Sequence, residues 1–471
     1  MRNIFYIAIA SALVFVLAPA CQKEQDFTFK EINKISVVTE DSSFTLTQLD
    51  TLKIVTDIRQ TKPGATLSYK WTVYPRAYLA GTAVELSKEK DLKTVINLSP
   101  GTYFVQLDVT DSGTGVVSQI QYGLTVNGAF YEGWMVANNK DGNARLSFIR
   151  ADDTLILNAP GTTNKKEYPG KSLGIGAGIA SNISLIYFFT DQGAFRFTAN
   201  DMFENGTNTA IFPNGKQFSA QVGYGLNKLV ADQYIVDKDG LYAGFGPVFY
   251  PQEVTKPFSP RLAGDYTLYP YPMSGTYYTT FFYDNKYKRF MQLGYLERDL
   301  LTAPAATGAA FDMSNTGKTL IAADMGASTF STADFYLVMA DATTRYLYSL
   351  AAGVPAMNQV IGNSPDIATA TAFATSSAFK HLYYASGNKV YLYDMLANNA
   401  RLLYTFPDGY QVKDLEMLRS TSKRLVAGVN NGAAGEVYYF DIGTTGDFVN
   451  NTYVKKFTGF GDIVQLVYRN K

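Results

Sequence analysis

The chain of 471 residues contains 41 basic and 41 acidic residues, so its formal net charge is zero. This balance gives no electrostatic basis for binding nucleic acid or an anionic membrane surface. The chain has one cysteine and one histidine, which excludes a zinc site of Cys and His ligands and a Cys–His catalytic pair, and any Ser-His-Asp triad would have to use His381.

The first 20 residues have the pattern of a secretion signal. Arg2 supplies a basic start, and the apolar run that follows is shorter than a membrane span and ends in small residues before Cys21. The sequence therefore predicts a signal peptide over residues 1–20 and a tether over residues 21–30. An ordinary secreted protein with one leftover thiol is the alternative to lipidation at Cys21.

The residues around Cys21 resemble two lipoprotein motifs. Residues 17–21, Leu-Ala-Pro-Ala-Cys, resemble a bacterial lipobox. Residues 21–26, Cys-Gln-Lys-Glu-Gln-Asp, resemble the surface-export signal of Bacteroidota lipoproteins. These resemblances imply that Cys21 is lipidated and that the chain is anchored in the outer membrane, facing the cell exterior, without spanning the bilayer.

Residues 31–127 show short runs in which apolar and polar residues alternate. One run covers residues 67–73, and the longest covers residues 101–111. Turn residues separate the runs, and no helical pattern is present, so this region is predicted to form an antiparallel β-sandwich. Four apolar residues of the longest run share one face that can pack on Trp71: Tyr103, Val105, Leu107 and Val109.

The same region resembles a known domain family. Tyr69-Lys70-Trp71, followed by Gly-Thr-Tyr-Phe-Val-Gln-Leu-Asp-Val-Thr-Asp at residues 101–111, resembles the polycystic-kidney-disease (PKD) type of immunoglobulin-like domain. Such domains act as spacers or adhesive modules. Aromatic residues on such a sandwich are expected to form core rather than a ligand platform.

A unit of about 45 to 50 residues repeats after residue 127. In each unit an apolar strand, a turn and an alternating strand follow one another, and equivalent positions are separated by 45 to 56 residues. This period is typical of β-propeller blades. The equivalent positions are Leu146, Phe195, Tyr242, Phe290, Tyr346, Tyr391 and Tyr438. The spacing predicts seven blades over residues 128–471, with six or eight as alternatives.

The end of the chain indicates how the repeats close. Residues 462–468 resemble the inner strand at residues 414–418, yet no further repeat follows them. The strand at residues 133–136 would otherwise begin its sheet with an open edge. The terminal strand is therefore predicted to complete blade one. The predicted fold class is all-β: an Ig-like (PKD-type) sandwich followed by a seven-bladed propeller.

The junction between the two regions also resembles a known family. Residues 131–136 (Tyr-Glu-Gly-Trp-Met-Val) and residues 141–149 (Asp-Gly-Asn-Ala-Arg-Leu-Ser-Phe-Ile) resemble the PKD-like family of Bacteroidota lipoproteins. The resemblance implies a surface lipoprotein of a nutrient-uptake system with SusC/SusD-like partners. It carries over no catalytic motif.

The predicted binding segment is the connection between blades three and four, from Pro257 to Tyr278. Its prolines stiffen the loop, and its tyrosines offer apolar rings with polar tips, which suit sugar rings or peptide side chains. The predicted ligand-binding residues are Arg261, Tyr266, Tyr269, Tyr271 and Tyr277. The alternative is that these tyrosines only pack the loop onto the blades.

No catalytic residue, metal site or cofactor is predicted. His381 lies at the start of a strand, where a surface role is expected. The run at residues 237–240 begins like a calcium loop, but Val248 stands where a bidentate Glu is needed, so a hairpin turn is predicted instead.

These features predict a non-enzymatic, surface-exposed lipoprotein that binds glycan or peptide oligomers or docks on a SusC/SusD-like uptake complex. An extracellular propeller hydrolase or lyase acting on polysaccharide is one alternative, and an adhesion or scaffold protein is another. Clustered carboxylates at the channel would favour the enzyme, whereas exposed aromatic residues would favour binding.

Overall fold

The computed structural model describes most of the chain after residue 30. The described residues are 31–77, 83–180, 183–244, 257–295, 297, 299–432 and 434–470. Strands contain 55% of the residues and helices 4%, so the predicted all-β class is confirmed. The predicted signal peptide and Cys21 lie outside the described residues.

The chain divides into two compact units. The N-terminal unit contains the described residues of 1–46, 50–95 and 101–125. The C-terminal unit contains residues 47–49, residues 96–100 and the chain from residue 126 onward. Among the described residues, no helix has the length and hydropathy that a membrane crossing requires.

The N-terminal unit is built from nine strands of the described chain. They are β1 Ile35–Val38, β2 Ser43–Thr47, β3 Thr51–Ile54, β4 Asp57–Gln60, β5 Leu67–Pro75, β6 Val84–Ser87, β7 Leu92–Val95, β8 Gly101–Asp111 and β9 Val117–Asn127. Five of them form a sheet in the order β2-β9-β8-β5-β6. The pairs β1-β4 and β3-β7 form two further antiparallel sheets.

Trp71 is the centre of the core of the N-terminal unit. Its side chain is fully buried, its ring lies 5.8 Å from that of Tyr122, and its Nε1 donates to the carbonyl oxygen of Glu89 at 3.0 Å. Trp71 pairs in register with Leu107 across β5 and β8. The predicted apolar face of β8 is buried at Val105, Leu107 and Val109, as the alternating pattern requires.

The described part of the C-terminal unit contains seven antiparallel sheets, numbered here in chain order. Sheet 1 consists of β10 Gly133–Lys140, β11 Asn143–Arg150, β12 Leu155–Ile156, β13 Tyr168–Pro169 and β37 Asp462–Arg469. Sheet 2 consists of β14 Ser172–Ala180, β15 Ile183–Thr190, β16 Gly193–Thr198 and β17 Glu204–Gly206. Sheet 3 consists of β18 Gly223–Asn227, β19 Asp232–Asp237 and β20 Gly240–Gly244.

The remaining four sheets each have four strands in sequence order. Sheet 4 consists of β21 Met273–Thr276, β22 Thr279–Asp284, β23 Arg289–Gly294 and β24 Leu301–Thr302. Sheet 5 consists of β25 Thr319–Ser328, β26 Ala333–Ala340, β27 Arg345–Ala351 and β28 Val354–Val360. Sheet 6 consists of β29 Ala372–Thr375, β30 His381–Ser386, β31 Lys389–Asp394 and β32 Asn399–Thr405. Sheet 7 consists of β33 Tyr410–Met417, β34 Arg424–Asn431, β35 Ala434–Asp441 and β36 Lys455–Phe460.

Short helical segments connect some of these strands. They are α1 Ala159–Asn164, α2 Asn208–Ile211 and the 3₁₀ turns Ile367–Thr369 and Val449–Asn451. The innermost strands of successive sheets lie side by side: β14 beside β18, β18 beside β21, β25 beside β29 and β29 beside β33. Strand β33 lies beside β37, and β37 lies beside β14, so the sheets follow one another around a common centre.

Both ends of the C-terminal unit meet in sheet 1. Strand β37 pairs antiparallel with β10, with Val136 opposite Leu466 and Trp134 opposite Tyr468. The rings of Trp134 and Tyr468 are 4.7 Å apart. This pairing covers the edge of β10 that would otherwise expose unpaired N–H and C=O groups.

The repeated tyrosines form core between neighbouring sheets. Tyr391 and Tyr393 of β31 are buried and pack in one cluster with Tyr336 and Leu347 of sheet 5. The ring of Tyr391 stacks on that of Tyr384 at 4.9 Å. The repeated aromatic residues at these positions therefore contribute to the core between neighbouring sheets.

We expect closure by β37 to contribute strongly to stability. Ile463 of β37 is 1% exposed and packs with residues of sheets 1 and 7. Ile463→Ala should lower the free energy of unfolding by about 2–5 kcal/mol, because a buried cavity replaces the side chain. Leu396→Ala removes an apolar side chain that is 82% exposed and should change it by less than about 0.5 kcal/mol. Urea unfolding of the two variants measures both effects, and equal losses would contradict the assigned role of β37.

Candidate functional site

A central cavity of about 320 Å³ lies where the innermost strands meet. Residues on, or just before, the innermost strand of each of the seven sheets line it. The inner edge of each such strand has main-chain N–H and C=O groups that no further strand pairs. The cavity wall is therefore polar and needs donors and acceptors from side chains or from a ligand.

Three polar side chains join neighbouring sheets at this wall. Each lies on an innermost strand and accepts a hydrogen bond from a main-chain N–H group of the next sheet. The contacts are Asp324 Oδ2 with Thr375 N (2.7 Å), Asp414 Oδ2 with Leu466 N (2.7 Å) and Gln465 Oε1 with Ile175 N (2.8 Å). We call these contacts the clasps. They satisfy edge donors that would otherwise be left unpaired inside the cavity.

Arg419 contacts two acidic residues of the cavity wall, Asp324 and Glu416. It follows β33 of sheet 7, and its guanidinium donates to the Asp324 carboxylate and to the carbonyl oxygen of Met325 in sheet 5. The Oε2 atom of Glu416 lies 3.8 Å from Nη2 of Arg419. Two acidic side chains from two different sheets thus share one cation, which offsets part of their mutual repulsion.

Burial shifts the acidity of two carboxyl groups in the cavity. It raises the pKa of Asp414 to about 7, against the lowering effect of its main-chain hydrogen bonds to Leu466 and Leu415. It also raises the pKa of Glu416 to about 8, although Arg419 opposes this shift. Near neutral pH, both groups are able to hold or release a proton. This is the property that general acid–base chemistry requires.

Two of the predicted binding residues line the cavity. Tyr269 and Tyr271 lie just before β21, are half-buried, and also pack against the core of sheets 4 and 5. The hydroxyl of Tyr269 donates to the carbonyl oxygen of Ile321 at 3.0 Å, and burial raises its pKa to about 12. The ring of Tyr271 meets that of Phe335 edge-on at 6.4 Å. Each tyrosine therefore has a packing role together with its place at the cavity wall.

Arg261 and Tyr266 do not line this cavity. Tyr266 is buried, and its hydroxyl donates to the carbonyl oxygen of Leu262 at 2.5 Å. The Arg261 guanidinium lies 4.4 Å from the centre of the Tyr266 ring and donates to the carbonyl oxygen of Asp239 at 2.6 Å. These contacts pack the loop onto sheet 3. For Tyr266, this is the packing role that the sequence analysis gave as the alternative to ligand binding.

Tyr277 lies apart from the other predicted residues. It follows β21, whereas Tyr269 and Tyr271 precede this strand, so the strand separates them. The side chain of Tyr277 is exposed, as is that of Tyr278. The five predicted residues therefore occupy three places: the cavity, the packed loop and an exposed turn.

The sequence pattern did not predict a functional role for Asp324, Lys413, Glu416 or Arg419. A pattern for some of them is present, because Asp414 and Glu416 alternate with buried residues on an innermost strand. Such alternation assigns both carboxyls to one face of β33. It does not show that this face meets Asp324, which lies two sheets earlier in the chain.

The other candidate motifs have structural roles. Asp237 accepts the N–H groups of Asp239 and Gly240 and pairs with Lys216 at 2.7 Å, as in the predicted hairpin turn. His381 begins β30, its ring lies 5.6 Å from that of Phe379, and burial lowers its pKa. Within the described residues, no group of three or more His, Cys, Asp or Glu side chains is placed to hold a metal ion.

The family comparison identifies the first third of the chain. The PKD-like family model matches residues 25–171. This match confirms the resemblance drawn from the motifs in that part of the chain. Among curated protein sequences, none matches this chain significantly.

Two solved structures illustrate what the chain is similar to. A quinonprotein alcohol dehydrogenase-like protein from Bacteroides thetaiotaomicron has a TM-score of 0.52 at 10% identity, covering 91% of this chain and 96% of its own. An oligogalacturonate lyase from Vibrio parahaemolyticus has a TM-score of 0.45 at 9% identity, covering 74% and 100%. The first of these supports a propeller-like, all-β architecture beyond the PKD-like region, and at this identity it supports the fold alone.

The raised pKa of Glu416 should make stability depend on pH. The folded chain holds a proton at Glu416 up to about pH 8, whereas an unfolded Glu loses it near pH 4.3. The contribution of this group to stability should therefore fall as pH rises from about 4.3 to about 8. Glu416→Gln should remove this component and flatten the pH profile of urea unfolding. Glu89→Gln, at an exposed position, should leave the profile unchanged, and parallel profiles for wild type and Glu416→Gln would contradict the assignment.

Proposed function

We propose that this protein is a non-enzymatic, surface-exposed lipoprotein that binds oligomers, either glycan or peptide, and delivers them to a SusC/SusD-like uptake complex. The central cavity of the C-terminal unit is the proposed binding site. The PKD-like region serves as the spacer between the lipid anchor and the binding unit. Lipidation at Cys21 and outward display on the outer membrane are part of the proposal.

The clasps are the observation that favours a binding role for the cavity over a catalytic role. Asp324 and Asp414 accept main-chain N–H groups of neighbouring sheets, and Asp324 also pairs with Arg419. A carboxylate that holds two sheets together is poorly placed to move toward a substrate atom. The wall then offers Tyr rings, main-chain groups and the exposed Lys413, which suit recognition of a polar oligomer.

The uptake partner and the location are supported by the sequence motifs. Residues 17–26 resemble a lipobox followed by a surface-export signal, and the PKD-like match begins at residue 25, which is the second-last residue of this segment. A lipid-anchored binding unit next to a transporter would raise the local concentration of its ligand there.

A polysaccharide hydrolase or lyase is the second candidate. Asp414 and Glu416 both line the cavity, and burial raises the pKa of both carboxyls toward neutrality. Enzymes that cleave glycosides use a pair of carboxyl groups with separated acidities. This candidate requires Glu416 to act as the acid, because it is the carboxyl outside the clasps.

The binding proposal predicts that the cavity tyrosines affect affinity. Uncharged hexasaccharides and casein peptides are titrated into the full chain by calorimetry. The double variant Tyr269→Ala/Tyr271→Ala should lower the affinity for the ligand that binds by at least about tenfold, because the cavity wall loses two ring faces. Lys413→Ala, at an exposed position of the same cavity, should weaken it with little effect on folding.

The controls separate binding from folding and from catalysis. Tyr287→Ala removes an exposed tyrosine outside the cavity and should leave affinity unchanged. Unchanged affinity in both the double tyrosine variant and Lys413→Ala would exclude the cavity as the site. Release of shorter sugars by wild type, abolished in Glu416→Gln, would instead establish the second candidate.

The anchor proposal predicts that membrane attachment depends on Cys21, the single cysteine of the chain. Cells grown with labelled palmitate should incorporate the label into wild type, and Cys21→Ala should remove both the label and the membrane association. Added protease should degrade wild type on intact cells if it faces outward. A Cys21→Ala protein that remains in the membrane fraction would contradict this mode of attachment.

A further inference from the structure

A group of exposed aromatic residues lies at the turns of two neighbouring sheets. Tyr277 and Tyr278 form the two-residue turn between β21 and β22, and Phe330 lies in the turn between β25 and β26. Their exposed fractions are 54%, 57% and 68%. The ring of Tyr295, which follows β23, lies 6.2 Å from that of Tyr278. We call these four residues the aromatic platform.

The backbone of Tyr277 shows that the turn itself does not favour a tyrosine there. Its φ angle is +53°, in the left-handed region, where an L-residue with a Cβ atom loses about 1–2 kcal/mol. Two-residue hairpin turns accommodate Asn or Gly more easily at such positions. Residues held in sparsely populated backbone conformations cluster at ligand clamps and active sites.

The platform is held rigidly from both sides. The N–H group of Tyr277 donates to the carbonyl oxygen of Ser331 in sheet 5 at 2.8 Å. Its carbonyl oxygen accepts a hydrogen bond from Nδ2 of Asn227 in sheet 3, also at 2.8 Å. Thr276 and Thr332 form an isolated bridge between the same two turns. A surface fixed in this way loses little conformational entropy when a ligand binds.

The chemistry of the two turns fits a neutral sugar chain. Residues 276–280 and residues 328–332 contain Thr, Ser, Tyr and Phe and no charged side chain, so neither turn selects an ionic ligand. A peptide strand would need free main-chain groups, but both groups of Tyr277 are already bonded. The exposed ring faces of Tyr277, Tyr278 and Phe330 match the C–H faces of a pyranose.

We propose that the aromatic platform is a binding site for neutral glycan chains, separate from the central cavity. This inference rests on the proposed function, because it takes oligomer binding as given and assigns glycan as the class. Tyr277 and Tyr278 follow β21, whereas the cavity tyrosines precede it, so the two sites can be altered independently.

The test uses the full chain and calorimetric titration with cellohexaose, xylohexaose, mannohexaose and maltohexaose. Tyr278→Ala and Phe330→Ala should each lower the affinity of the aromatic platform for the hexasaccharide that binds there by at least about tenfold. Tyr278→Phe keeps the ring and should stay within about twofold of wild type. Tyr287→Ala is the matched control, because it removes an exposed tyrosine from the turn after β22, at the other end of that strand. Thermal unfolding confirms that each variant is folded, and Phe330→Ala, at the most exposed position, decides the result if Tyr278→Ala unfolds.

The outcomes distinguish this inference from the proposed function. Hexasaccharide binding that Phe330→Ala and Tyr278→Ala leave unchanged would overturn the platform site, while oligomer binding by the protein would stand. If the protein binds casein peptides but none of the hexasaccharides, the platform site is likewise overturned and oligomer binding still stands. Absence of binding to either class would overturn both proposals.

Discussion

The C-terminal unit depends on the antiparallel pairing of β37 with β10. This pairing joins the first and last strands of the unit by main-chain hydrogen bonds and brings β37 beside both β33 and β14. The central cavity exists because the innermost strands meet around one centre. Without β37, β10 would have an exposed edge and sheets 7 and 2 would lose their common neighbour. Closure is therefore a condition for the fold and for the site.

Closure in turn explains the unusual chemistry of the cavity. Inner strand edges bring unpaired N–H groups to the cavity wall, and these donors need acceptors. Asp324, Asp414 and Gln465 supply them, each to the next sheet. Placing carboxyls there has an electrostatic cost, which the raised pKa of Asp414 records. Acidic residues in such a cavity thus have a structural explanation before any catalytic one is considered.

Tyrosine has three different roles in this unit, and the position of each residue determines the role. Tyr393 is buried between sheets and contributes packing. Tyr269 lies at the cavity wall, with its hydroxyl bonded to a main-chain oxygen. Tyr278 lies in water at a turn, where its ring covers little of the core.

The sequence by itself determined the all-β class, the PKD-like region and the repeat, because period-two alternation, turn residues and motif spacing are local properties of the chain. Only the tertiary structure decided which residues share a site. Asp324 and Arg419 are two sheets apart in the chain and in contact in space, whereas Tyr271 and Tyr277 are close in the chain and lie at opposite ends of β21. The physical reason is that ring closure, rather than sequence distance, sets which innermost strands meet.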